Sequence, residues 1–204
     1  GIFVGGFTSG STGMATGGAY HGANNGLIDG FLLKINNNGT RQWSTYYGGT
    51  GNDYVYGVTC DASSNPCVTG RTESAATIAS AGVFQTTRSG AADAFVAKFA
   101  SGSGAVSFST YYGGTGVDEG SGIAADAANN LYITGQTNSV INIATAGAPQ
   151  TSLSGVQDAF VGKLNSTGTT RIWGTYFGST GSEQGNEVVC NTLTGDAGII
   201  GYTT

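Results

Sequence analysis

Residues 48–56, Gly48-Gly49-Thr50-Gly51-Asn52-Asp53-Tyr54-Val55-Tyr56, fit the calcium pattern G-G-x-G-x-D-x-U-x. Turn carbonyls and the Asp53 carboxylate are hard oxygen donors, and Ca²⁺ takes about 6–8 of them. In that pattern tandem turns, about nine residues apart, share each ion. Here the next copy lies 65 residues on, with Asp118 as its acid and Gly120 at the apolar position. The third copy has Glu183 in place of Asp. The other reading is a glycine turn whose acid accepts from backbone N–H groups. The wide spacing favours the turn and leaves Asp53 and Asp118 as weak calcium candidates.

Other residue types able to do chemistry are repeated or isolated. Asp29, Asp93 and Asp158 are each followed five residues on by Lys34, Lys98 and Lys163. An acid beside a base could move protons, but an active site is normally built once, and these recur in every repeat. They read as turn-capping acids and as lysines laid along apolar surface. His21 is the only histidine, so no Ser-His-Asp or metal triad can be assembled around a second supporting feature. Cys60 and Cys67 flank a six-residue turn. Paired across a hairpin, they are a disulfide candidate; two buried reduced thiols are the alternative. Cys190 aligns with Cys60, and its partner position falls near Gly198, which makes it a free or intermolecular thiol. Asn38 and Asn165 open glycosylation sequons, although Asn38-Gly39 is also a good hairpin turn. The Tyr pairs and the position shared by Trp43, Phe108 and Trp173 could stack on sugars, or could form core between sheets.

Composition narrows the class. Charged residues are 9% of the 204, glycines number 37, prolines 2 and aromatics 10%. Plentiful aromatics argue against disorder. The net charge is −5 with seven basic residues, too few to follow a phosphate backbone or an anionic membrane. No apolar run reaches the ~20 residues of a membrane-spanning helix. The chain opens on Gly1 rather than Met, so a processed chain or a fragment is expected.

The elements that must position these residues are set by a long repeat. Ser44-Thr45-Tyr46-Tyr47-Gly48-Gly49-Thr50-Gly51 returns at 109–116 and, as Gly174-Thr175-Tyr176-Phe177-Gly178-Ser179-Thr180-Gly181, at 174–181. Tyr46, Tyr111 and Tyr176 therefore stand 65 residues apart. Asp29-Gly30-Phe31-Leu32-Leu33-Lys34 matches the segments opening at Asp93 and Asp158. One period predicts four short strands, at about 54–60, 67–71, 93–99 and 105–112, because apolar and polar residues alternate with a period of two. Helix should be nearly absent. Four antiparallel strands per repeat make a β-propeller blade, so the fold is expected to be all-β, with about three 65-residue repeats.

The phase of the repeat divides the chain. Residues 1–53 hold the second to fourth strands of an incomplete first blade and a connection. Residues 54–118 and 119–184 are complete blades, and 185–204 are the first two strands of a further one. Closed propellers have about 4–8 blades. The blades are expected to stay open or to be completed by other chains, through edges that can template pairing.

In order, the motifs STYYGGTGNDYVYGV, TCDASSNPCVTGRT, GVFQTT and DAFVAKF resemble the bacterial β-propeller repeat family, the SBBP repeat. The resemblance covers nearly the whole chain. It implies secreted or cell-surface proteins built of many modules, with no shared catalytic set to carry over; the cysteines depart from its pattern. The expected function is a non-enzymatic extracellular structural or interaction module that self-associates or packs on neighbouring blades. The alternatives are a glycan-binding propeller using loops 72–92 and 137–157, and a fragment of a larger secreted enzyme or adhesin.

Overall fold

A computed structural model describes residues 1–192 and 194–204. Among the described residues thirteen strands form four antiparallel sheets, and there is no helix. The first sheet holds β1 (Ile2–Thr8), β2 (Asp29–Ile35) and β3 (Arg41–Tyr47). The second holds β4 (Asp53–Cys60), β5 (Pro66–Thr72), β6 (Asp93–Phe99) and β7 (Val106–Tyr112). The third holds β8 (Asp118–Ala125), β9 (Leu131–Thr137), β10 (Asp158–Leu164) and β11 (Arg171–Phe177). The last holds β12 (Glu183–Cys190) and β13 (Ala197–Thr203). The expected strands are all present, and their sheets are blade-like and not closed.

Each complete sheet is a simple meander, and its register follows from glycine. Gly70 lies opposite Phe95, and Gly135 opposite Phe160. A Cβ on Gly70 would sit 3.0 Å from the Phe95 ring and 1.7 Å from the Tyr54 carbonyl oxygen, so only glycine admits this close approach. The sequence pattern did not reveal the bulges. The pairing of β4, β8 and β12 with its neighbour shifts between Val55 and Gly57, Gly120 and Gly122, and Gly185 and Glu187. An extra residue there (Tyr56, Ser121 or Asn186) bends the first strand of each blade.

The core lies between sheets. Trp43, Tyr47, Val68, Phe95, Ala97 and Phe99 pack the first sheet on the second. Phe108, Tyr112, Leu131, Ile133, Phe160 and Leu164 pack the second on the third. Side chains alternate in direction along a strand, so Phe95 and Ala97 face the preceding blade while Ala94 and Val96 face the following one. At ~25 cal/mol per Å² of apolar surface buried, these aromatic layers are the main source of stability.

Candidate functional site

The joint between blades is where the repeated acids meet. In the first three sheets a buried Asp opens β2, β6 or β10, and a second acid opens the first strand of the next sheet, β4, β8 or β12. The pairs are Asp29 with Asp53, Asp93 with Asp118, and Asp158 with Glu183. All three flank a glycine. A Cβ on Gly48, Gly113 or Gly178 would lie 2.5–2.8 Å from carboxyl atoms of both acids, so the glycines after each Tyr pair are required by space.

The Asp53 and Asp118 carboxylates are occupied by protein donors. Asp53 accepts from the Gly49 N–H (2.8 Å) and the Ser74 hydroxyl (2.7 Å) through Oδ2, and from the Thr72 hydroxyl through Oδ1. Asp118 repeats this with Gly114 N–H, Ser139 and Thr137. The turn reading of these acids describes this geometry. A calcium ion would need the same oxygens, and no group of three or more His, Cys, Asp or Glu is placed to hold a metal among the described residues. Burial pushes the Asp118 carboxyl up to about 6, against the pull of the bonds from Thr137, Gly114 and Ser139.

Asp93 accepts from Ser89 and Gly90 N–H groups and from Gln85 Nε2 (2.8 Å), while Gln85 Oε1 accepts from Gly113 N–H (3.1 Å). Asp158, Gln150 and Gly178 repeat the set. His21 holds the glutamine position in the first repeat, and its backbone bonds to Thr45 and Tyr46 match those of Gln85. Its ring instead stacks on Tyr20, with centroids 4.2 Å apart. The Gly26 N–H goes to Asn24, and buried Asp29 keeps an Oδ1 without a hydrogen-bond partner. Burial raises the Asp29 carboxyl, opposed by the Asn25 N–H and assisted by the nearby Asp53.

The lysines do more than lie along apolar surface. Lys98 reaches Asp61 at 2.5 Å, and Lys163 reaches Asp126 at 3.0 Å. Asp61 and Asp126 also accept from backbone N–H groups of their own turns, Ser63 and Asn65, and Ala128 and Asn130. Burial alone would raise both carboxyls, but these bonds hold them below the ordinary range. The sequence reading missed these two acids, although their 65-residue spacing was a signal. The first blade has no first strand and no such acid, and Lys34 donates to the Ser101 carbonyl of the next blade instead (2.8 Å).

The Cys60–Cys67 disulfide expectation is corrected. Cys60 pairs with Pro66 and Cys67 with Thr59, so the two side chains leave opposite faces of the hairpin. Cys60 is exposed, Cys67 is buried, and both are free. Cys190 is a half-buried free thiol. Asn38 and Asn165 both lie in turns between third and fourth strands, as expected, Asn38 exposed and Asn165 half-buried. Asn165 binds the Thr169 side chain (2.9 Å) and its N–H (2.9 Å). Trp43, Phe108 and the Tyr pairs from 46 and 111 are buried between blades rather than set on loops. Among the described residues no helix is long and apolar enough to cross a membrane.

Four-stranded antiparallel sheets stacked through a repeated glycine–acid joint define a protein of β-propeller-type blades. Residues 108–142 match the family described as SBBP, beta-propeller repeat, so the chain carries an SBBP-type repeat at the joint and first hairpin of its third blade. Among curated proteins none matches the chain.

Proposed function

We propose that this chain is a non-enzymatic structural or interaction module of an extracellular or cell-surface protein, working by sheet completion at its open blades. One observation carries this reading. Among the described residues, the outer edges of β1 and β13 have no strand partner, and the surfaces beside them are apolar. Ile2 (57%), Phe177 (72%) and Ile200 (67%) are exposed there. An unpaired edge beside apolar surface is a template for another strand. The repeated acids, glutamines and lysines are taken up in holding turns, which supports a scaffold over a catalyst. The low charge and the resemblance to a secreted repeat family support an extracellular setting.

Two measurements test the reading. Light scattering of the purified chain should show mass above that of one copy, rising with concentration. On intact producing cells, protease should reach the native protein. A strict monomer at all concentrations overturns assembly, and full protection until lysis overturns the surface location.

A further inference from the structure

One cluster on the second sheet is built once, in a chain whose other polar features repeat. Tyr54 and Arg71 lie opposite one another in the β4–β5 ladder, so their side chains share a face. Tyr56, the bulge residue, lies beside Tyr54, with ring centroids 5.8 Å apart and planes 17° from parallel. Phe7 of the first sheet stands edge-on to both, at 5.0 and 6.2 Å. The three rings hold one another in place, while Tyr56 (42% exposed) and Phe7 (50%) keep an open aromatic surface. The counterparts of Tyr54 and Tyr56 are Glu119 and Ser121 in the third sheet, and Gln184 and Asn186 in the last. The blade therefore has no need of rings at these positions.

A strip of hydrogen-bonding groups runs beside the rings. Asn52 Nδ2 donates to Glu73 Oε2 (2.9 Å), Arg71 Nη2 donates to Glu73 Oε1 (2.8 Å), and Arg71 Nη1 lies 3.5 Å from Glu119 Oε1 of the next blade. All four side chains are half-buried. Burial and the Glu119 charge push the Tyr56 hydroxyl up to about 12, against the pull of Arg71, so it stays a proton donor at neutral pH. The opening of this face is a property of the position and not of what lies beyond residues 1–204. Ser121 holds the place of Tyr56 with a sheet on either side and is only half-buried, and Asn186, with a complete blade before it, is exposed.

These groups select a ligand class. Two carboxylates against one guanidinium leave the strip negative, which repels phosphates and other anions. An aromatic face takes apolar C–H surface. Fixed donors and acceptors beside it suit hydroxyls, each of which both donates and accepts. A pyranose ring carries both features, an apolar face and a rim of hydroxyls. We propose that Tyr54, Tyr56 and Phe7 form the platform of a carbohydrate-binding site for a neutral hexose unit of a polysaccharide, with Arg71, Glu73 and Glu119 as its polar rim. Of the loop 72–92 only Glu73 takes part, and the site lies on the sheets themselves. It goes beyond the scaffold reading above and is independent of strand completion at the open edges.

Saturation-transfer NMR on the full chain tests the site, with neutral hexasaccharides of glucose, mannose, galactose and N-acetylglucosamine as probes and spermidine as a cation control. At least one sugar should bind. Titration of that sugar should weaken about tenfold or more in Tyr56→Ser, as loss of a central aromatic contact does. This change installs the residue that the next repeat carries at the same place, so the circular dichroism spectrum should be unchanged. Glu119→Gln should weaken the same sugar several-fold, and Val156→Ala, exposed on a loop of another joint, should leave it as it was. Binding of none of the four sugars, or binding unchanged in both Tyr56→Ser and Glu119→Gln, overturns the site. Spermidine binding that Tyr56→Ser abolishes, with no sugar bound, overturns the sugar and assigns the cluster to a cation. The light-scattering mass is read separately, so failure here leaves the assembly reading standing.

Discussion

Phe160 lies flat over Tyr112, with ring centroids 5.2 Å apart and planes 14° from parallel. Phe160 is in the third strand of one blade and Tyr112 ends the fourth strand of the blade before, so this contact holds two sheets together. Both side chains are fully buried. Truncation leaves a cavity that the neighbouring strands cannot close. Phe160→Ala should cost about 3–5 kcal/mol in denaturant unfolding. The same change at exposed Phe177 should cost well under 1 kcal/mol in the monomer. Equal losses at the two sites would refute the inter-blade core.

The first repeat carries a correctable defect. His21 makes neither of the two side-chain bonds that Gln85 makes to Asp93 and to the Gly113 N–H. His21→Gln restores the donor to the Asp29 carboxylate and the acceptor for Gly48. Stabilisation of about 1–2 kcal/mol is expected, a rise of about 2–8 °C in melting temperature for a chain of this size. Gln85→His should lower it by a similar amount. An unchanged melting temperature in both would show that the glutamine clasp contributes nothing.

Acid titration has a sign that can be checked at Asp118. Its folded value, about 6, lies above the usual carboxylate value because of burial. The folded state therefore holds the proton more tightly than the unfolded chain. The contribution is fully present below about pH 4 and is lost as pH rises through 6. The stability of the native chain minus that of Asp118→Asn should fall by about 2–3 kcal/mol from pH 4 to 7. A difference that stays flat or rises would contradict the buried carboxyl.

The cysteines should separate by reactivity. Cys60 is exposed, while burial pushes the Cys67 thiol up to about 12. A thiol reagent at pH 8 should modify Cys60 in the native protein and reach Cys67 only on unfolding. A non-reduced peptide map showing Cys60 joined to Cys67 would overturn the register read from β4 and β5.

Much of the architecture was legible in the chain itself. The Tyr46, Tyr111 and Tyr176 spacing sets the repeat, and alternation such as that in Asp93–Phe99 sets strands and faces, because these are local patterns of period two. The phase of the repeat also exposed the two unfinished sheets. The clasp from Asp61 to Lys98 was not legible, since its ends lie 37 residues apart and meet only when β5 and β6 pair. Nor was the fate of Cys60 and Cys67. Sequence spacing brings two cysteines to one hairpin, but register decides which face each occupies, and a bulge such as that beside Tyr56 can change it. The joint acids divide in the same way. Gly48-Gly49-Thr50-Gly51-Asn52-Asp53 is one string that suits either an ion or a turn. Only the tertiary structure places Thr72 and Ser74 against the Asp53 carboxylate, because hydrogen-bond donors some twenty residues away become neighbours through the sheet and not through the chain.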